Sequence, residues 1–415
     1  MKKIITSGLL GLALWLSVPS WAQTLLTVAA YPAVDEIIKN ALPEWQKKHP
    51  QVQVKVVGRE YADHHTAMTT ALAASSGLPD VMTIEYGYLG RFSQSGGLEN
   101  LAIAPYNAAA HAQRFVSFAW QQGQHDSHGQ TAVPTDIGPG TLFYRHDIVM
   151  KSQVKPEQLS GKWEDLIAAG RQIKAQTGVH LVAHARDIKD IVIRSGLGQG
   201  EGIYFNAQGQ SLVATSPRFK RAFELAKQVR QEGLDAKVNA WSNEWGESIK
   251  RGHVAVQMMG AWLGGHLQNW LAPDSAGKWR SARLPEGAAT SWGGTFYAIP
   301  KNAANKALAW DLIQHLALNK EQQQKAFQKF NAFPALKEAQ TGPYFDQPVE
   351  YLGGQKARAE WRDVAQKITP TRVFRHDPIA EEIVNAELDL VLGKGKSIDQ
   401  ALADAHRLIQ RRAQR

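Results

Sequence analysis

The chain contains no cysteine. Disulfides, thiolate metal sites and cysteine nucleophiles are thereby excluded together, and so is the lipidated cysteine that would tether an exported chain after cleavage. Long apolar runs are equally scarce: the one candidate, residues 9–18, is too short to span a bilayer. Several enzyme signatures are missing too. There is no GxSxG elbow and no HExxH pair, and the alternate glycines of residues 196–202 neither form GxGxxG nor join a strand directly to a helix.

What is present is ordinary globular material behind an export signal. A chain of 415 residues with 44% hydrophobic and 20% charged residues has the length for two domains and the composition of a folded protein. Lys2 and Lys3, the apolar run and the small-x-small triplet Ser20-Trp21-Ala22 read as a signal peptide cleaved after Ala22. The mature protein then begins at Gln23 and works in a bacterial periplasm. Losing Lys2 and Lys3 lowers the formal charge from +9 to +7. The basic residues are scattered along amphipathic helices and concentrate only at the tail, with no recognisable nucleic-acid module, so nucleic acid is not an expected partner.

Along the chain, strands and helices alternate. Residues 25–30 read as an apolar strand, and Val34, Ile37, Ile38, Ala41, Leu42 and Trp45 line one face of a helix that Pro43 should kink. Residues 52–56 alternate as a half-buried strand does, then come a helix over 61–75, a strand over 81–85 and a helix over 86–95. This βα rhythm predicts a sheet with parallel strands, in which ligands sit beyond the carboxyl ends. Glu85 and Tyr86 occupy such an end. Residues 121–130 read as a hairpin or loop. Pro134, Gly138, Pro139 and Gly140 are expected to break the sheet before it restarts at 141–144, with Asp136 facing a cleft at the first crossing between domains.

Helices over 163–176 and 218–231 and a strand over 179–183 follow. The stretch 244–263 then organises the rest: a helix carrying Ser248 and Ile249, a turn at Arg251-Gly252, a strand over 254–259, and Gly260-Ala261-Trp262. Residue statistics alone put such a Trp in a core. A flat ring beside bare backbone also builds a ligand wall. Trp292 before Gly293-Gly294 repeats the arrangement ahead of a strand over 295–299, and helices over 379–392 and 398–411 end the chain. His180 and His184 on a strand stand roughly 13 Å apart, too far for one metal ion. His64, His65, His125 and His128 read as polar surface. No metal, cofactor or catalytic residue is expected.

Six stretches carry a resemblance: SGLPDV at 76–81, SGGLENL at 95–101, TLFYRHDI at 141–148, WEDL at 163–166, KRGHVAVQMMGAW at 250–262 and GGTFYAIPKNAANKALAWDLIQHL at 293–316. In content and order they resemble the extracellular solute-binding proteins of family 1, which include maltose-binding protein. The resemblance implies an α/β, two-lobe periplasmic binding protein of type II, each lobe a sheet flanked by helices, joined by a multi-stranded hinge. It places one lobe at 25–134 plus 285–331 and the other at 136–283 plus 332–415. It implies a monomeric receptor, not an enzyme, that holds a sugar between the lobes and delivers it to the permease subunits of an ABC importer. Carried onto this chain, Trp262, Trp292 and Gly293 become pocket walls. Tyr31, Glu85 and Asp136 become polar or stacking contacts, and Trp241 and Arg186 lie on cleft loops of the second lobe. A pyranose has apolar faces and a hydroxyl rim, which call for aromatic planes and fixed polar groups. A polyol or glycerol phosphodiester, met by Arg59, Arg186 or Arg194, is the alternative ligand, and an exported glycan-acting enzyme with a carboxylate pair is the alternative class.

Overall fold

The structure, a computed structural model, describes residues 23–413. The signal peptide expected over residues 1–22 lies outside the described residues. Strand β1 (Thr24–Ala30) pairs in parallel with β2 (Val52–Gly58) on one side and β3 (Val81–Glu85) on the other. Parallel neighbours need crossover connections, here the helices Val34–Gln46 and Tyr61–Ala74. Pro43 lies in the last turn of its helix without ending it. Along β3 and the carboxyl half of β1 the sheet is buried on both faces, while the edge strand β2 is half-buried. Leu26, Val28 and Val81 pack into one core, while Ala29, Met82 and Ile84 pack into another with Phe92 and Phe296.

Residues 121–130 do form a small hairpin, β4 (Gln124–His125) with β5 (Gly129–Gln130). Beyond it the chain departs from expectation. Instead of breaking at its prolines and glycines, it runs as one strand of thirteen residues, β6 (Val133–Arg145). Irregularities between Pro134 and Asp136 and between Ile137 and Pro139 absorb the prolines. Gly138 is a close-approach position: a Cβ there would meet the Trp292 carbonyl oxygen at 1.8 Å.

β6 joins the two halves of the molecule. Strands β7 (Val256–Gly260) and β8 (Trp279–Ala282) flank its carboxyl half, and β9 (Ser291–Ala298) pairs with its amino half and with β3. On the other side of the amino half, Ile137 N–H bonds the Phe333 carbonyl and Ala335 N–H bonds the Thr135 carbonyl, at 2.9 and 3.1 Å. The strand expected over 179–183 is reduced to single parallel bridges from His180 to Val254 and from Val182 to Asp235. The helices Trp163–Thr177, Ala185–Arg194, Pro217–Gln231, Asp377–Lys394 and Ile398–Ala413 share this half's core, which includes Leu142, Trp163, Ile191, Phe223 and Leu388.

The register brings two strand ends toward each other. Glu85, ending β3, is level with Thr295, which is level with Asp136; Gly260, ending β7, is level with Gly140. Strand β3 therefore points its carboxyl end toward that of β7, across four residues of β6, about 13 Å of extended chain.

Candidate functional site

Glu85 is both the last residue of β3 and the N-cap of the helix Tyr86–Gln94. Its Oε2 accepts the Gly87 N–H at 2.8 Å and the Tyr61 hydroxyl at 2.9 Å. Burial pushes its carboxyl up to about 7, against the pull of those two bonds. Tyr86 and Tyr88 extend this wall.

The opposite wall is ionic. Arg194 ends the helix Ala185–Arg194 and lays its guanidinium 4.4 Å from the centre of the Trp292 ring. It donates to Asp190 Oδ1 at 3.3 Å and across the gap to the Tyr86 hydroxyl at 3.2 Å. Behind it the fully buried Lys189 ammonium sits on the Asp190 carboxylate and donates to Asn385 Oδ1 at 2.7 Å. Asn385 belongs to the helix Asp377–Lys394, which also brings Asp377 and Glu381 to the cleft. Asp377 Oδ2 accepts the Phe374 N–H at 2.7 Å, and burial pushes this carboxyl up to about 7. These groups, with Gln122, Tyr204 and Arg372, line a cleft of about 370 Å³. It offers aromatic planes, carboxylate acceptors and amide and guanidinium donors, the equipment for a hydroxyl-rich molecule with apolar faces.

Of the residues expected at the site, Glu85 and Trp292 meet on this cleft. Trp262 lies over bare backbone, as its glycine neighbours suggested, but the ring fills the gap. Added Cβ atoms at Gly138, Gly260 or Gly293 would come within 3.0 Å of its Nε1. Its N–H is spent on the Trp292 carbonyl at 2.7 Å, leaving a ligand only the ring. Trp241, with 53% of its surface exposed, lies 5.8 Å away at 26° to it, and His266 packs edge-on at 5.5 Å.

Tyr31 and Asp136 sit beneath the wall. Tyr31 is buried among Tyr61, His64 and His65, its hydroxyl 2.7 Å from Thr295 Oγ1, so its faces are already covered by protein. Burial pushes Asp136 up to about 6, with hydrogen bonds from Thr295 acting against it. Arg186 is a correction. It occupies the first turn of a helix instead of a loop, lines no part of this cleft, and gives its guanidinium to the Asp389 carboxylate at 2.8 and 2.9 Å. His64 and His65, read as surface, are fully buried. His180 lies 3.0 Å from the Lys174 ammonium and His184 lies 3.1 Å from the Arg230 guanidinium, cationic company unsuited to a metal.

Tyr61, Tyr88, Tyr204, Asp377, Glu381 and Asn385 also line the cleft, beyond the residues the sequence suggests. For Tyr61 and Tyr88 a signal existed: both adjoin carboxyl ends of predicted parallel strands. For the helix Asp377–Lys394, only the spacing of Asp377, Glu381 and Asn385, four residues apart on one face, could have marked them.

Fold and cleft define a class, and the comparisons agree with it. The chain belongs to the bacterial extracellular solute-binding protein family, whose model matches residues 40–352. It is 27% identical over 421 residues to a lactose-binding protein of Rhizobium radiobacter, covering 97% of this chain and 96% of that protein. Among solved structures, an extracellular solute-binding protein of family 1 superposes with a TM-score of 0.81 at 23% identity, covering 94% of this chain and 99% of that one. The ABC transporter associated binding protein of B. animalis subsp. lactis Bl-04, in complex with β-1,6-galactobiose, superposes with a TM-score of 0.76 at 24% identity, covering 93% and 96%.

Proposed function

We propose that this protein is the periplasmic receptor of an ABC importer, that it binds a mono- or oligosaccharide between its lobes, and that it passes the sugar unchanged to the permease subunits. The observation that carries the reading is the pairing of Trp292 with carboxylates from both sides of one cleft, Glu85 on one wall and Asp377 on the other. Ring faces meet the C–H surface of a pyranose and carboxylates accept from its hydroxyls. Sugars named for two relatives, lactose and β-1,6-galactobiose, point the same way.

The lobe boundaries belong to the proposal: 25–134 plus 285–331, and 136–283 plus 332–415. The first joint falls within β6 and the other two on segments beside it, so closure pivots there. A sugar touching both walls favours the closed form because only that form offers it both sets of contacts. A glycerol phosphodiester fits less well. Glu85, Asp377, Glu381 and Glu382 all line the cleft, and Arg194 is already engaged by Asp190 and Tyr86.

The test is calorimetric titration of the mature protein with lactose, β-1,6-galactobiose, longer oligosaccharides and glycerophosphodiesters, followed by mass spectrometry of the recovered ligand. Saturable one-to-one binding of an intact sugar is expected. Preference for the phosphodiesters, or recovery of cleaved sugar, overturns the reading.

A further inference from the structure

His65 is fully buried and lies behind the cleft wall, yet it touches three of the residues that form the wall. Its Nδ1 is 2.8 Å from the Tyr61 carbonyl oxygen, which can only accept. Its Nε2 is 3.2 Å from the Glu85 backbone nitrogen, which can only donate. Together the two contacts fix the imidazole as the neutral tautomer with hydrogen on Nδ1 and a lone pair on Nε2. A second proton would point an N–H at an N–H.

Tyr61 and Glu85 are also joined directly, hydroxyl to carboxylate at 2.9 Å. The contacts therefore close a ring: Tyr61 carbonyl, His65 imidazole, Glu85 amide, Glu85 carboxylate, Tyr61 hydroxyl. Tyr88, a third cleft residue, lies flat on the same imidazole at 4.0 Å and 13°. We propose that His65 is a positioning residue for solute binding, a neutral imidazole that ties the start of the helix Tyr61–Ala74 to the end of β3 and so sets the Glu85–Tyr61 pair and the Tyr88 ring for the ligand. The proposal rests on the cleft reading above.

The bland alternative is a core histidine that serves folding alone, and the chain supplies the comparator next door. His64 is equally buried and bonds the Thr83 carbonyl at 2.8 Å, a residue that does not line the cleft. Its ring meets His65 edge-on at 4.9 Å. Burial pushes the His65 imidazole down to about 4, consistent with the neutral form its partners require.

The experiment is a double-mutant cycle on sugar affinity, at a temperature where every variant is folded by circular dichroism. His65→Phe keeps a flat ring and loses both hydrogen bonds, and is expected to weaken binding about ten- to a hundredfold. In a Tyr61→Phe, Glu85→Gln background the same change is expected to cost less than about threefold, because the pair it positions is gone and the stacking on Tyr88 is kept by the phenylalanine ring. His65→Gln, which keeps an acceptor for the Glu85 amide, recovers part of the loss. His64→Phe lowers stability and leaves affinity within about twofold of wild type. An equal loss in both backgrounds, or an unaltered affinity in His65→Phe, overturns the proposal. Should His65→Phe not fold, His65→Gln carries the cycle. Imidazole nitrogen NMR of the wild-type protein tests the geometry independently of any sugar: the Nδ1–H tautomer is expected from pH 5.5 to pH 8, about the range where a free histidine titrates. Nε2–H or the imidazolium there overturns it. Failure to bind any sugar in the panel would count against the receptor reading and leave the tautomer result standing.

Discussion

The two walls of the cleft are built by different means. Around Glu85, the partners lie close in sequence, 24 positions from Tyr61, and are joined by neutral or backbone-anchored hydrogen bonds. Around Arg194, the buried ions Lys189, Asp190 and Arg194 pair within one helix, and what ties them to the rest of the wall is the Lys189 bond to Asn385, across 196 positions. The first wall is local and carries its charge reluctantly, since burial pushes Glu85 up to about 7. The second is a tertiary assembly whose parts exist as a unit only once the last helices have docked. Damage to the first wall is therefore expected to fall mainly on binding, and damage to the second on folding.

The sharpest way to break that contrast is Asp190→Ala. It leaves Lys189 and Arg194, both buried, without their shared carboxylate. Breaking a buried ion cluster by removing one partner costs about 3–5 kcal/mol, read as a lowered midpoint in urea. A Lys189→Met, Asp190→Leu double variant, which removes one buried ion of each sign, is expected to recover much of that loss. If Asp190→Ala melts like wild type, the second wall is held by packing and the contrast fails.

Trp292→Ala comes next and acts on binding. Trp292 is half-buried, so its truncation leaves most of the core intact while stripping the cleft of the ring beneath Arg194. Loss of an anchoring aromatic of this kind costs about 2 kcal/mol, near thirtyfold in Kd by calorimetry.

The carboxyls supply a pH test. Folding raises Glu85 and Asp377 to about 7 and Asp136 to about 6, all above their ordinary values. The folded form holds these protons more tightly than the unfolded chain, so their stabilising contribution is full at low pH. It is lost as pH climbs from about 4 to about 7. His65, pushed down to about 4, acts in the opposite sense: its contribution is full above about 6.5 and lost as pH falls through about 4. The difference between wild-type and Glu85→Gln stability curves isolates Glu85. The variant is expected to gain relative stability between pH 5 and pH 8, on the order of 1 kcal/mol once the cleft's access to water is allowed for. A flat difference curve would place Glu85 in a wetter setting than its contacts indicate.

The same contrast explains which parts of the site were legible in the sequence. Glu85 ends a predicted parallel strand before a helix, and both facts are local patterns. Trp292 stood out because two glycines follow it. The β6 crossing was misread because its prolines and glycines look like punctuation. In the structure, Gly138 makes room for the Trp292 carbonyl and the prolines sit at irregularities of pairing. The helix Ala185–Arg194 escaped notice for a different reason. Half of its ten residues are charged, which reads as solvent-exposed chain, yet Lys189, Asp190 and Arg194 are buried. Such burial is stable only because Asn385 and the ions' mutual pairing compensate it, and nothing near residue 189 announces a partner so far away. His64-His65 failed similarly: a polar pair at a helix start looks wet until a neighbouring strand end supplies the Thr83 carbonyl and the Glu85 amide.

The smallest expected effect concerns the residue the structure moved off the site. Arg186 shares a helix with Arg194 but sits at its opposite end, where Asp389, half of whose side chain meets solvent, takes its guanidinium. A pair this wet contributes about 0–1 kcal/mol, so Arg186→Ala should shift the urea midpoint barely and leave sugar affinity within about twofold. The variant also bounds the ionic wall. Arg186 and Arg194 lie eight residues apart, about 12 Å along the helix axis, close to the width of two sugar rings. A tenfold loss of affinity would mean that bound solute reaches the first turn of this helix and draws Arg186 away from Asp389. No change would confine the ionic wall to Arg194 and the groups behind it.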